Sequence, residues 1–221
     1  MANLRIHLVR HGEVHNPGGI LYGRMPGYHL SERGFEMAER VAEALPVRDP
    51  HIAEVVSSPL LRAQQTAAPL AGRLGLELGT EERVIEAGND FEGNHVTPEG
   101  LLRRPDWLFL ARNPLRPSWG EPYLAQALRV RAAMMSMRAR LASRARAEGL
   151  EEASGVIVTH QLPIWSTRLF TLGRPLAHDP RRRQCALASV TTFSDGSGTL
   201  DDVVYEDIAA DMPLTQPGTG A

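Results

Sequence analysis

Leu8-Val9-Arg10-His11-Gly12-Glu13 joins an apolar run to a cation, an imidazole and a glycine within six consecutive positions, residues 8–13. Upstream, Leu4 and Ile6 extend the apolar pattern, which reads as a short buried strand. Arg10 and His11 therefore fall at its C-terminal tip, beside a glycine that lets the backbone turn sharply. In open α/β sheets, ligands bind outside the carboxyl ends of the strands. A histidine placed there beside an arginine suits attack on a phosphate.

The same arrangement recurs three more times along the chain. Val55-Val56-Ser57-Ser58-Pro59 runs into Leu60-Leu61-Arg62-Ala63-Gln64-Gln65-Thr66, Val84-Ile85 leads into Glu86, and Gly155-Val156-Ile157-Val158-Thr159 ends in His160-Gln161. Four apolar runs thus bring Arg10, His11, Arg62, Glu86 and His160 to one edge of a sheet. His11 supplies a nitrogen able to attack phosphorus. The arginines can each grip two phosphoryl oxygens, and a carboxylic acid can protonate a departing oxygen.

The segments LVRHGEVHN, YGRMPGYHLSERG, VVSSPLLRAQQTA, RVIEAGNDFEG and VIVTHQLPI follow one another over roughly residues 4–165. Together they resemble the histidine phosphatase superfamily, which includes the cofactor-dependent phosphoglycerate mutases. The resemblance implies a three-layer α/β/α sandwich with a mostly parallel sheet, phosphoglycerate-mutase-like. It implies hydrolysis of a phosphate monoester through a phosphohistidine at His11. Arg10, Arg62 and His160 would clamp the phosphoryl group, and Glu86 would act as general acid and then base, ahead of Glu82, Asp90 and Glu92. Asn16, Gly23 and Gln161 are further candidates for phosphate contacts, although Asn and Gly also make turns without any ligand. The chain departs from the commoner pattern in three places: His15-Asn16 stands where Thr-x-Trp-Asn is usual, IEAGNDFEG is compact, and Gln161 follows the second histidine in place of glycine.

Composition narrows the classes. The chain has 221 residues, 43% hydrophobic and 23% charged, and a net charge of −2, which suits one globular α/β domain with a substantial core. Nothing in that balance draws it to nucleic acid or membranes. Its one cysteine, Cys185, excludes an internal disulfide framework and fits a reducing cytoplasm. The opening residues lack a signal-peptide apolar region. The basic residues are all arginine, which excludes a P-loop kinase and a pyridoxal enzyme, since both need a lysine. No cofactor is implied. The alternation His11, Glu13, His15 invites a metal site, but Gly12 interrupts the strand and paired cysteines are absent. The expected partner is a small phosphorylated substrate, with a homodimer a further option. Two rivals stand beside the hydrolase: a phosphoglycerate-mutase-type phosphotransferase, and a catalytically idle phospho-ligand-binding protein of the same fold. The second predicts loss of a site residue, and all five are present.

One domain is expected over residues 1–210, with an insertion at about 94–123 and a mobile C-terminal tail at 211–221. Strands are predicted near Leu4–Arg10, Ala53–Ser57, Glu82–Glu86, Gly155–Thr159, Cys185–Phe193 and Val203–Asp207. Helices are predicted from Ser31, as N-cap, to about Leu45, then over Leu60–Leu74, Leu124–Arg146 and Ile164–Leu172. The third of these carries a stripe of Ala127, Val130, Met134, Met137, Leu141 and Ala145 at helical spacing. Its arginines read as a solvated face. Trp107, Phe109, Trp119 and Tyr123 could line an apolar pocket or form the insertion's own core. His7, His51, His95 and His178 read as surface or packing residues, and His95 and Arg24 could also reach the site from loops.

Overall fold

The computed structural model describes residues 2–96, 103–110, 112–113, 119–195 and 198–215. Six strands, β1 (Asn3–Arg10), β2 (Ile52–Ser57), β3 (Leu78–Thr80), β4 (Glu152–Thr159), β5 (Val190–Ser194) and β6 (Asp202–Glu206), form one sheet in the order β3-β2-β4-β1-β5-β6. The first four in that order are parallel, whereas β5 and β6 join antiparallel at one side. Among the described residues five α-helices accompany them: α1 (Glu32–Arg48), α2 (Leu61–Leu74), α3 (Pro105–Leu110), α4 (Tyr123–Glu148) and α5 (Gln161–Thr171).

The near-continuous apolar runs of β1 and β4 follow from burial on both faces of the sheet. Ile6, Leu8 and Ile157 pack with Met134, Met137 and Leu141 of α4 and Ile164 of α5. Val9, Val156 and Val158 pack on the opposite face with Met37, Val41 and Leu45 of α1 and Ala63, Ala67 and Leu70 of α2. The result is the expected three-layer sandwich. Ser31 caps α1 by accepting from the Gly34 N–H at 3.0 Å, and the six-residue stripe of α4 is buried.

Two predicted strands are corrected. Glu82–Glu86 is not a strand. Glu82–Val84 forms a turn of 3-10 helix, and the edge strand is the weakly apolar Leu78–Thr80. The Glu81 carboxylate accepts from both the Arg83 N–H and its guanidinium, a local bond that competes with extended pairing. Val84 is buried beneath α4 rather than in the ladder. The closing strand begins at Val190 instead of Cys185 because the backbone of 185–189 is diverted to the strand tips. The Cys185 carbonyl accepts from Arg10 at 2.7 Å, the Ala188 N–H donates to the His11 carbonyl at 3.3 Å, and Ala188 takes φ 57°.

Parts of two other expected segments, 97–102, 111 and 114–118 of the insertion and 216–221 of the tail, lie outside the described residues. Before that point the tail is tied down: the Thr215 N–H donates to Glu13 Oε2 at 2.7 Å. Among the described residues, no helix is long and apolar enough to cross a membrane.

Candidate active site

Strand register assembles the cluster. Arg10 pairs with Thr159 across β1 and β4, and Ser57 pairs with Val158 across β2 and β4. His11, Ser58 and His160 are therefore the next residues off three adjacent strand tips. The His11 N–H donates to the Thr159 carbonyl at 3.0 Å. The two imidazoles lie 5.2 Å apart, both fully buried. The acid segment, although outside the sheet, is tied to the same edge: the Thr159 hydroxyl donates to the Val84 carbonyl, two residues before Glu86.

Local bonds set the chemical state of each ring. His11 Nδ1 lies 2.8 Å from the Gly12 carbonyl oxygen, which can only accept, so Nδ1 carries the proton. The lone pair of the neutral ring is then on Nε2, which has no partner among the described residues. His160 is held through Nε2 to Ser58 Oγ at 2.8 Å and leaves Nδ1 without a protein partner. Thr66 couples the strand loop to α2: its hydroxyl accepts from the Gly12 N–H and donates to the Arg62 carbonyl.

The two arginines are anchored at their tips. Arg10 donates from Nη1 to the Cys185 carbonyl, and Arg62 donates from Nη2 to the Gly23 carbonyl at 2.6 Å while lying 4.8 Å over the Tyr22 ring. Each leaves a buried Nε without a partner. Glu86 accepts from the Ala87 N–H through Oε1, and its buried Oε2 is unmatched. Among the described residues ten buried side-chain polar atoms lack a protein partner, and five of them, one each, belong to Arg10, His11, Arg62, Glu86 and His160. A dry, unmet polar atom costs about 1–3 kcal/mol. Five in one place would consume a stability comparable to that of a whole domain, about 5–15 kcal/mol. Such a concentration is what a pocket able to receive an oxyanion or ordered water presents.

Burial, then the charges of Arg62 and Arg10, hold His11 well below the usual histidine range, against the opposing pull of the Gly12 carbonyl. Burial and Arg62 do the same to His160. Both rings are thus neutral, as a nitrogen nucleophile must be. Burial pushes Glu86 the other way, above its ordinary 4.5, and outweighs the Ala87 N–H and the cations Arg62, Arg10 and Arg183. That shift favours the protonated carboxyl needed for donating to a leaving group.

The remaining candidates are distributed unevenly. Asn16 spends its amide on the loop, donating to the Ile20 carbonyl at 2.9 Å and accepting from the Ile20 N–H at 3.3 Å. Gly23, at φ +39°, offers its carbonyl to Arg62, and a side chain there would collide with Glu92. Gln161 opens α5 and accepts from Arg183 at 3.2 Å. Glu82 and Asp90 are exposed, and Glu92 is engaged with the Arg24 N–H, so Glu86 alone of the four acids is buried in the cluster. Arg24 reaches the backbone carbonyl of Glu86 at 2.6 Å, whereas His95 is exposed. His11, Glu13 and His15 do not converge: Glu13 takes the Ser31 hydroxyl at 2.6 Å and His15 stacks on His29. Among the described residues no three such side chains are grouped to hold a metal ion.

Of the aromatics, Trp107 is buried against Phe91 and Phe109 is exposed, while Trp119 and Tyr123 line a cavity that adjoins Ala87. Ser58 and Arg183 went unread in the sequence, and His178 was read only as a surface or packing residue. Ser58 lies inside a quoted motif, but a serine among serines carries no signal for orienting a distant histidine. Arg183 and His178 sit in an irregular loop, where no periodicity distinguishes the inward arginine of the Arg181-Arg182-Arg183 run.

Comparisons with known proteins bear on the family and the fold. The sequence model of the histidine phosphatase superfamily (branch 1) matches residues 6–205. An uncharacterised protein of Mycobacterium tuberculosis is 50% identical over 207 residues, covering 93% of this chain and 97% of that one. A probable phosphoglycerate mutase of Yersinia pestis is 30% identical over 198 residues, covering 85% and 84%. The solved structure of a mycobacterial glucosyl-3-phosphoglycerate phosphatase superposes with a TM-score of 0.71 at 27% identity, over 92% of this chain and 96% of that one.

Proposed function

We propose that this chain, which belongs to the histidine phosphatase superfamily (branch 1), hydrolyses small phosphate monoesters through a phosphohistidine at His11, without a metal ion. His11 Nε2 attacks phosphorus, and the bond from phosphorus to the alcohol oxygen breaks as Glu86 gives that oxygen its proton. Arg10, Arg62 and His160 stabilise the charge on the phosphoryl oxygens during transfer. Glu86, now ionised, takes a proton from water as the water attacks the phosphohistidine, and orthophosphate leaves with His11 restored. Asn16, Gly23 and Gln161 contribute at most through the loops they shape and the backbone N–H groups nearby. The one unpaired cysteine, buried Cys185, supports a reducing cytoplasmic setting.

The observation that carries this reading is the set of five unmatched buried polar atoms, two of them on neutral imidazoles 5.2 Å apart. Its test is chemical trapping. Wild type mixed briefly with a labelled phosphate ester and then denatured should retain acid-labile, base-stable label, and folded His11→Ala should retain none. Full turnover by His11→Ala would sink the scheme. Turnover should also survive exhaustive chelation; a loss restored by zinc or magnesium would overturn the metal-free step. The name of the Yersinia relative favours a second reading, transfer of the phosphoryl group back to an alcohol. Release of one orthophosphate per alcohol separates the hydrolase from that phosphotransferase.

A further inference from the structure

A cavity of about 290 Å³ adjoins the acid side of the cluster; Ala87, next to Glu86, forms part of its wall. If Glu86 protonates the departing oxygen, the alcohol half of the ester must sit on this side, so the cavity is where that alcohol is held. Leu21, Phe91, Trp119, Tyr123 and Leu162 give it apolar and aromatic walls, and Asn89, Glu121 and Gln126 are polar members of the lining. Phe91 and Trp119 lie 6.4 Å apart, and Trp107 braces Phe91 edge-on from behind.

One wall residue is a cation. Arg183 lines the cavity and is held by two neutral groups. It donates from Nε to His178 Nε2 at 2.9 Å and from Nη1 to Gln161 Oε1 at 3.2 Å. His178 is fixed as the acceptor, because its Nδ1 donates to the Leu176 carbonyl at 2.7 Å, and the ring is packed against Tyr123 at 5.1 Å. Two other arginines near Glu86, Arg24 and Arg129, share the carboxylate of Glu121, at 2.9 and 2.7 Å. Among the described residues no carboxylate lies within ion-pair distance of Arg183. Its charge is oriented by neutral partners, pressed upon by burial, and felt by the Glu86 carboxyl without an ion pair of its own. Arg10 and Arg62 already serve the transferred phosphoryl group, so a third half-buried cation on the alcohol side is not needed for it.

Resting on the hydrolase reading above, we infer that the alcohol half of the substrate combines an apolar body, held between the aromatic walls, with an oxyanion of its own that pairs with Arg183. A carboxylate or a second phosphate has the matching chemistry, since a guanidinium edge grips either through paired N–H donors.

The test compares phenyl phosphate with 3-carboxyphenyl and 3-phosphonophenyl phosphate. Wild type should prefer one charged ester by roughly ten- to hundredfold in kcat/KM, the scale of one charge-assisted hydrogen-bonded pair, and the preferred ester tells which oxyanion is meant. Arg183→Met should collapse that ratio, mainly through KM, and Arg183→Lys should restore part of it. A wild-type preference for phenyl phosphate, or the same ratio in wild type and Arg183→Met, would overturn the inference. Should Arg183→Met fail to fold, the wild-type ratio decides alone. A second readout needs no turnover: 3-hydroxybenzoate and phenol are titrated against tryptophan fluorescence. Tighter binding of 3-hydroxybenzoate to wild type, lost in Arg183→Met, supports the Arg183 pairing even if no ester is hydrolysed. In that case it is the hydrolase reading that fails. Equal binding of the two overturns the pairing itself.

Discussion

The division of labour at single residues rests on which atom of each side chain the protein has already engaged. The Gly12 carbonyl fixes the His11 tautomer and leaves Nε2 as the nucleophilic nitrogen. Glu86 is engaged at one oxygen and raised by burial, so it can carry a proton to a leaving group. A general acid contributes roughly a hundred- to ten-thousandfold, most where the leaving alkoxide is basic. Glu86→Gln should therefore slow single-turnover release of alcohol from alkyl phosphates far more than release of p-nitrophenol from its phosphate, whose leaving group needs little protonation. Equal losses would leave Glu86 as a positioning group only. Arg10 and His11 were legible because the strand, the cation and the glycine are contiguous. Arg62 and His160 became legible only through the ensemble of motifs. Ser58 and Arg183 act across 102 and 22 positions, on His160 and Gln161 respectively, and single-sequence periodicity does not reach that far.

Secondary-structure elements matter here chiefly through their ends. The parallel strands were readable because burial on both faces makes them continuously apolar, and α4 because its stripe recurs at helical spacing. Val84-Ile85 was misread for the same reason: two apolar residues look alike whether buried in a ladder or under a helix. What no pattern announces is how closely α1 approaches the nucleophile loop. A methyl on Gly34, in the first turn of α1, would overlap the Glu13 carbonyl oxygen, and one on Gly12 would stand 2.6 Å from the Gly34 carbonyl oxygen. The contact is backbone on backbone, so no side chain can move aside to relieve it. Gly34→Ala should push α1 outward and stretch the Ser31–Glu13 bond. At a cost of roughly 1–3 kcal/mol, Tm should fall by about 2–12 °C. Activity should fall with it, because the loop that holds His11 is displaced. An unchanged Tm together with unchanged kcat would show that the helix is free to yield.

The molecule as a whole should reveal its site in how its stability responds to acid, because two groups of residues bind protons less readily in the folded chain than in the unfolded one, over separate ranges. His11 and His160 are held well below their ordinary 6.5, so the unfolded chain binds protons that the folded one refuses. Their contribution is complete above about pH 6.5 and is lost as the pH falls, by up to about 1.4 kcal/mol per pH unit for each ring. Half-buried His178, lowered by burial, adds in the same direction. The second group lies at the other end of β1. Burial pushes the Asp49 carboxyl up, but hydrogen bonds from His7 at 2.9 Å and Arg5 at 2.8 Å outweigh it and hold the group well below its ordinary 3.8. Its contribution is present above about pH 4 and is lost as the pH falls further. Urea unfolding of wild type from pH 8 to 3 should therefore show one decline beginning near pH 6.5 and a second near pH 4. His11→Asn with His160→Asn should flatten the first and leave the second. Asp49→Asn should lower stability at pH 7 by about 1–3 kcal/mol, because it removes charge-assisted bonds from His7 and from Arg5, which keeps Glu152, and should shrink the second decline while the first persists. If the double histidine variant keeps the full slope between pH 7 and 5, the buried imidazoles are not what makes the folded chain refuse protons, and the neutral His11 required of a nucleophile loses its physical basis.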